Sequence, residues 1–121
     1  LTTPESVDAL SKTLGFRKTI TGLMTAFKLD ALSGITNGPA CCIDLVNGDY
    51  GNGPSLSTPA AITGFPHITV PMGFVHGLPV GISFYGDAYT EPALISMAYA
   101  YEQASHCRKK PVFRKDLLGV S

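Results

Sequence analysis

An alternating apolar pattern, interrupted by a glycine, constrains the fold of this chain more than any other feature. Every second residue is apolar within residues 67–75, and the same alternation returns within residues 79–85. Such alternation places one row of side chains on a single face of a β-strand. His76 and Gly77 lie between the two segments, and glycine readily adopts the positive φ that a hairpin turn needs. The sequence therefore predicts a β-hairpin with one buried face, which another element must cover.

Three segments show the periodicity of amphipathic helices. A threonine, a proline and a glutamate at positions 3–5 are typical of a helix start, and apolar residues then recur at helical spacing. Because Gly15 interrupts this segment, we predict helices near 4–14 and 16–28, or one helix broken at the glycine, with an apolar core stripe. A third helix is predicted near 91–107, where one face is apolar and where basic residues and a proline follow.

The segment between the first helical region and residue 57 is less regular. A short apolar run near 31–35 predicts a strand, and residues 36–57 form a long connection rich in turn residues. Long loops of this kind are usually binding loops or disordered segments. Three aliphatic residues are expected to anchor this loop: Ile43, Leu45 and Val46.

A short helix is predicted after this loop, before the hairpin. Ser57 or Thr58 is expected to cap it, and Gly64 to end it. The elements together predict an α/β fold in which a small mixed sheet is packed by helices. The third helix is expected to cover the hairpin, and the polar tail at 112–121 is expected to fray.

Composition limits the classes of function that the chain can have. With 121 residues, 45% of them hydrophobic and 15% charged, the chain is expected to be a globular single domain or fragment spanning 1–121. Nine basic residues balance nine acidic ones, which argues against nucleic-acid binding. Three cysteines make no disulfide framework and favour a reducing compartment, so we expect a cytoplasmic protein. The spacing of cysteine and histidine predicts no metal site, and no apolar run suggests a membrane span.

Several motifs carry a resemblance to a known family when they are taken together. They are Gly64-Phe-Pro-His-Ile-Thr-Val-Pro-Met-Gly, Gly77-Leu-Pro-Val-Gly-Ile, Glu91 and Ala98-Tyr-Ala-Tyr-Glu-Gln-Ala. Their order and spacing resemble the C-terminal end of enzymes of the amidase signature family, over about residues 29–111. The resemblance implies that this chain is part of the larger amidase α/β fold. It also implies a small-molecule amide substrate and no cofactor.

The resemblance further implies hydrolysis of a carboxamide bond by a serine nucleophile, a second serine on a cis peptide and a lysine base. The chain has no Gly-Gly-Ser-Ser-Gly type segment, and its lysines lie outside the lysine motif of the family. We therefore predict a C-terminal portion of an amidase without catalytic residues, inactive alone. Leu1 at the first position likewise suggests a fragment, although processing that removes a methionine would also leave it there. An isolated fragment is expected to expose an apolar face and to self-associate.

The resemblance implies that two regions shape the substrate pocket, namely the loop after the first strand and the start of the short helix. The candidate substrate-binding residues are Thr36, Asn37, Gly38, Ser57, Thr58 and His67. For His67 the alternative is a hydrogen-bonded structural histidine, and for Ser57 it is a simple helix cap. Ile35 and the loop 48–54 depart from the family pattern, so the substrate class stays open.

Two other interpretations of the function compete with the enzyme segment. The first is a non-enzymatic binding or assembly module that reuses this end of the fold, which the full coding sequence would distinguish. The second is a small thiol hydrolase, in which Cys41 or Cys42 is activated by His67 or His106. We rank the thiol hydrolase lowest, because adjacent cysteines are more often small buried hydrophobic residues.

Overall fold

The computed structural model describes residues 3–51 and 53–112, and this part of the chain contains three helices and three strands. The elements are α1 (Pro4–Phe27), β1 (Leu32–Ile35), α2 (Ser57–Thr63), β2 (His67–Val75), β3 (Leu78–Tyr85) and α3 (Glu91–Ser105). The α/β class and all three predicted strands are confirmed. The tail predicted at 112–121 lies, apart from Val112, outside the described residues.

The three strands form one sheet in the order β1-β3-β2, and both pairs of neighbouring strands are antiparallel. The predicted hairpin is confirmed, with His67 opposite Tyr85 at its open end. A register shift between Pro71 and Gly73 marks a bulge in β2. The prediction of a mixed sheet is wrong for the described residues. Strands β1 and β2 do run in the same direction, but β3 lies between them, so no parallel pair forms.

The hairpin turn consists of two residues with positive φ. His76 has a φ of 50° and Gly77 a φ of 82°. This pair of values is typical of the type I′ turn, whose twist matches that of the flanking strands. The role expected for Gly77 is confirmed. His76 shares the left-handed conformation, although it carries a Cβ atom.

Helix α1 runs without a break through Gly15, so the prediction of two helices near 4–14 and 16–28 is wrong. A glycine within a helix costs about 1 kcal/mol relative to alanine but removes no backbone hydrogen bond. The helix start was predicted correctly, because the Thr3 side chain accepts a hydrogen bond from the Ser6 backbone N–H at 3.4 Å. Lys28 ends the helix in the left-handed conformation, with a φ of 51°.

The apolar stripe of α1 is mostly exposed, which contradicts the prediction that it forms core. Met24 is buried, whereas Leu10 and Phe27 are 60% and 68% exposed. Polar contacts hold the helix in place instead. The Nε of Arg17 donates to the carbonyl of Thr63, and Thr21 Oγ1 donates to Asp87 Oδ1 at 3.0 Å. Among the described residues, no helix has both the length and the apolar character that crossing a membrane requires.

Helix α3 covers one face of the sheet, as predicted for the hairpin. Leu94 and Ala98 are buried on its inner face, and the rings of Phe84 and Tyr101 meet edge to face at 6.0 Å. The helix ends at Ser105, two residues before the predicted end and well before the proline at position 111. The physical reason is the left-handed conformation of the residue after Ser105, which caps the helix.

The opposite face of the sheet packs against α2 and the segment that follows it. Tyr85 is fully buried, and its hydroxyl lies 2.8 Å from Oγ1 of Thr63. Gly64 ends α2 with a φ of 64°, as predicted. The cap predicted for Ser57 or Thr58 is wrong, because Leu56 occupies the N-cap position and no side chain caps the helix.

The long loop is held by polar contacts rather than by its aliphatic residues. Three residues expected to anchor it are between 80% and 95% exposed: Ile43, Leu45 and Val46. Asp44 instead accepts hydrogen bonds from the backbone N–H groups at positions 46 and 47, at 2.8 and 2.9 Å. These bonds, chiefly those from Asn47, lower the pKa of the Asp44 carboxyl. At the end of the loop, the Leu56 N–H donates to the Ile35 carbonyl at 3.1 Å.

Candidate functional site

Four polar side chains meet on the sheet face opposite α3, and we name them the hydroxyl cluster: Thr36, His67, Thr69 and Ser83. Ser83 lies at the centre and is fully buried. Its Oγ donates to Thr36 Oγ1 at 2.8 Å and lies 2.7 Å from His67 Nε2 and 3.3 Å from Thr69 Oγ1. Two of the predicted substrate-binding residues, Thr36 and His67, therefore share one hydrogen-bonded group.

The register of the sheet places these four residues on one face. Thr69 lies opposite Ser83 in the hairpin, and His67 is two residues earlier on β2. The Thr36 N–H donates to the carbonyl of Gly81 at 2.9 Å, so the pairing of β1 with β3 continues past its last strand residue. A period of two along each strand then directs all four side chains to the same side.

Gly81 allows the cluster to close over the central strand. A Cβ atom at this position would lie 2.7 Å from Thr69 Cγ2 and 2.9 Å from Thr36 Oγ1, distances that real side chains do not tolerate. Because Gly81 has no Cβ atom, Thr36 Oγ1 can donate to Thr69 Oγ1 at 3.3 Å across β3. The missing side chain of one glycine thus brings hydroxyls from two non-adjacent segments together.

Counting protons fixes the tautomer of His67. A serine hydroxyl has one proton, and Ser83 donates it to Thr36. The contact between Ser83 Oγ and His67 Nε2 therefore requires a proton on Nε2. Burial lowers the pKa of the His67 imidazole, which favours the neutral ring. In this neutral form Nδ1 carries a lone pair and is a hydrogen-bond acceptor.

A second group of polar residues, which we name the loop-end cluster, consists of Asn37, Ser55, Ser57 and Thr58. Ser57 Oγ donates to Asn37 Oδ1 at 3.3 Å and lies 2.7 Å from Ser55 Oγ. Thr58 Oγ1 donates to Ser55 Oγ at 3.4 Å. The two ends of the long loop meet here, and the Cα of Gly38 lies close to Gly53. The predicted site residues thus fall into two groups.

Sequence reasoning missed three members of these clusters: Ser55, Thr69 and Ser83. The signal for two of them was present in the hairpin pattern. Thr69 and Ser83 occupy the row that alternates with the apolar residues, and polar residues in such a row share one face. No periodicity marks Ser55, because its position depends on how the loop closes.

Neither the cysteines nor the residues that line the surface clefts belong to either cluster. Cys41, Cys42 and Cys107 are free, and Cys42 is exposed, so the expectation of two buried cysteines is wrong. Within residues 3–51 and 53–112, no set of three or more histidine, cysteine, aspartate or glutamate side chains could hold a metal ion. Two open clefts of about 400 and 270 Å³ lie beside α1, and neither is lined by a residue of the two clusters.

Comparison with known proteins gives consistent matches over part of their length. No protein-family model matches the chain. A probable amidase of Arabidopsis thaliana is 50% identical over 62 residues, which are 50% of this chain and 12% of the relative. The A subunit of the glutamyl-tRNA(Gln) amidotransferase of Listeria welshimeri is 37% identical over 86 residues, which are 71% of this chain and 16% of the relative.

A solved structure extends these matches to nearly the whole chain. It is a peptide amidase in complex with the competitive inhibitor chymostatin, with a TM-score of 0.80 and 42% identity. The match covers 93% of this chain and 23% of the peptide amidase. This chain therefore spans a quarter or less of the proteins that it matches. The resemblance found in the sequence is confirmed: the relatives are amidases and amidotransferase A subunits, and the chain matches a C-terminal fragment of the amidase signature family.

Proposed function

We propose that this chain is the C-terminal segment of an amidase that hydrolyses carboxamide C–N bonds. The observation that carries this proposal is the match to peptide amidase over 93% of the chain at 42% identity. Because the chain has no Gly-Gly-Ser-Ser-Gly type segment, the catalytic serines and lysine would come from residues outside these 121. The chain alone is then inactive, and it supplies scaffold and part of the substrate pocket.

The role of this segment in catalysis is to hold the substrate. In the complete enzyme a lysine would remove the proton from a serine hydroxyl, which attacks the carbonyl carbon of the amide. The C–N bond breaks, the amine leaves with a proton, and water then hydrolyses the acyl-serine ester. Side chains that orient the substrate contribute to the rate of such a reaction. We assign this task to the candidate residues named from the sequence: Thr36, Asn37, Gly38, Ser57, Thr58 and His67.

A chimeric enzyme tests this proposal. The chain would replace the matching 23% of peptide amidase, and release of ammonia from a peptide amide would be measured. We expect the chimera to hydrolyse the amide and the isolated chain to release no ammonia above buffer. A chimera that folds, by circular dichroism and thermal unfolding, but has no activity would contradict the proposal. Turnover by the isolated chain that depends on one of its own residues would contradict it as well.

The exposed side of α1 supports a proposal about assembly. Three of its apolar residues are 46% to 60% exposed: Val7, Leu10 and Leu14. We propose that this stripe packs against the remainder of the enzyme and that the isolated chain self-associates through it. A non-enzymatic assembly module would use the same surface, and an inactive but folded chimera would favour that alternative.

The three free cysteines support a cytoplasmic location.

A further inference from the structure

The hydroxyl cluster has two ends of opposite hydrogen-bonding character. Nδ1 of His67 is an acceptor, because the proton of the neutral ring lies on Nε2. The Thr69 hydroxyl directs its proton to Ser83 Oγ, but the two oxygens lie 3.3 Å apart, which is a long distance for a hydrogen bond between hydroxyls. A ligand oxygen at an ordinary hydrogen-bond distance from Thr69 Oγ1 can therefore replace Ser83 as the acceptor of the Thr69 proton. One acceptor and one donor on the same strand face are the complement of an amide, which offers an N–H and a carbonyl.

We propose that His67 and Thr69 bind an amide group in the body of the substrate, distinct from the carboxamide that is cleaved. Nδ1 of His67 accepts the amide N–H, and the Thr69 hydroxyl donates to the amide carbonyl. This inference rests on the proposed function and names its substrate class, which is a peptide-type amide with at least two amide groups. A substrate with a single carboxamide cannot occupy this subsite and the cleavage site at the same time.

The chemistry of the cleavage step explains why the bound amide is not the scissile one. The nitrogen of the scissile amide must gain a proton as the C–N bond breaks. A neutral imidazole whose Nδ1 holds a lone pair offers no proton at that position. An acceptor of this kind suits an N–H group that stays intact through the reaction.

The cluster is arranged before any ligand arrives. Ser83 is fully buried, so its hydroxyl is held by its three partners in the cluster rather than by solvent. Two of the hydroxyl groups belong to β-branched threonines, whose χ1 angles have few alternatives. A pre-ordered donor and acceptor lose little conformational entropy on binding. Thr69 is exposed and His67 half-buried, so both residues are accessible from solvent.

A nitrogen NMR titration of the full 121-residue chain tests the binding directly. With ¹⁵N-labelled histidine, the Nδ1 signal of His67 would be followed during addition of N-acetyl-alanyl-alaninamide. We expect a saturable shift at His67 and none at His76 or His106, which serve as internal controls. Ethyl pentanoate, which offers a carbonyl but no N–H, is expected to give at least a fivefold weaker response. No shift with the dipeptide amide, or an equal response to the ester, would overturn the inference.

A matched pair of variants tests the role of Thr69. Thr69→Val keeps the β-branched shape and removes the hydroxyl, so the dissociation constant for the dipeptide amide should rise about fivefold, as expected for one hydrogen bond. Thr19→Val on α1 is the control and should leave binding unchanged.

In an active chimera, Thr69→Val should raise KM for the dipeptide amide at least fivefold more than KM for pentanamide. Equal effects on both substrates in an active chimera would refute the subsite and leave the proposed function intact. An inactive folded chimera with intact NMR binding would refute the function alone.

Discussion

The Oγ1 atoms of Thr36 and Thr69 lie 3.3 Å apart, although β3 separates the segments that carry them. Their approach requires empty space above the central strand, which Gly81 provides. The contact also requires the register in which Thr69 faces Ser83. A hydrogen-bonded group that joins β2, β3 and the residue after β1 links the folding of the sheet to the geometry of the candidate site.

Replacement of Gly81 by alanine is expected to destabilise the chain. The new methyl group would overlap Thr69 Cγ2 and Thr36 Oγ1, and overpacking of this kind typically costs about 1–3 kcal/mol. The free energy of unfolding from urea denaturation measures the effect. Thr69→Ser removes the methyl group that lies nearest, so the double variant should lose less than the sum of the two single losses. Strict additivity in this cycle would show that the contact does not decide the stability.

The buried pair Tyr85 and Thr63 should respond asymmetrically to mutation. Tyr85→Phe removes one hydroxyl, and because Thr63 still accepts a hydrogen bond from the Phe65 N–H, the loss should be about 1 kcal/mol. The Thr63 hydroxyl donates its own proton to the Pro59 carbonyl at 2.8 Å, so Tyr85 is the donor in the contact between the two hydroxyls. Thr63→Val leaves the buried tyrosine hydroxyl without its acceptor, so the loss should lie at the upper end of about 1–3 kcal/mol. Both are measured as changes in the free energy of unfolding. A larger loss for Tyr85→Phe would contradict the assigned hydrogen bond.

The hairpin could be predicted from the sequence because its information is local. The alternation in 67–75 and 79–85 and the turn at Gly77 sufficed to fix two strands and their pairing. Thr69 and Ser83 could also have been found, since they lie in the polar row of the same pattern. Their contact with Thr36 could not, because the pairing of β1 with β3 depends on a long-range contact across the 36–57 loop.

The burial of α1 was predicted wrongly for a different physical reason. Apolar spacing in a helix indicates a face that tends to be buried, but it does not say which element covers that face. In the described chain, Met24 is covered and Leu10 is not. The same pattern is therefore compatible with a core helix and with a helix that awaits a partner.

Gly15→Ala is expected to stabilise the chain. The helix is continuous at this position and no neighbouring atom lies within 4 Å of the place that the alanine methyl group would occupy. The substitution therefore gains helix propensity without a clash, and the gain should be about 0.5–1 kcal/mol in the free energy of unfolding. A loss of stability would indicate that the helix is broken near Gly15 in solution.

The exposed stripe of α1 should govern the association of the isolated chain. Leu10 is 60% exposed, and Leu10→Glu places a charge in the middle of the stripe. Sedimentation velocity over a range of concentrations should show self-association of the unmodified chain and a monomer for this variant. Ser11→Glu, which adds the same charge at the neighbouring position outside the stripe, is the control and should still associate. A monodisperse monomer of the unmodified chain would contradict the prediction.

The stability of the chain should fall as the solution is acidified below the ordinary pKa of histidine. Burial lowers the pKa of His67 from its usual 6.5, so the unfolded chain takes up a proton at a higher pH than the folded chain does. The contribution of the neutral His67 to the free energy of unfolding is fully present above pH 6.5 and is lost as the pH falls through the pKa of the folded state. The urea midpoint should therefore be lower at acidic pH than at about pH 7.5, at an unchanged slope.

Glutamine at position 67 separates this effect from other titrations. His67→Gln keeps an N–H donor for Ser83 but does not titrate, so the drop in the urea midpoint on acidification should become smaller. His76→Gln, in the exposed turn, is the control and should keep the drop of the unmodified chain. If His67→Gln also kept the full drop, the loss of stability would come from other groups. The neutral imidazole would then have to be established by its ¹⁵N shifts, because the same protonation state supplies the Nδ1 acceptor of the proposed amide subsite.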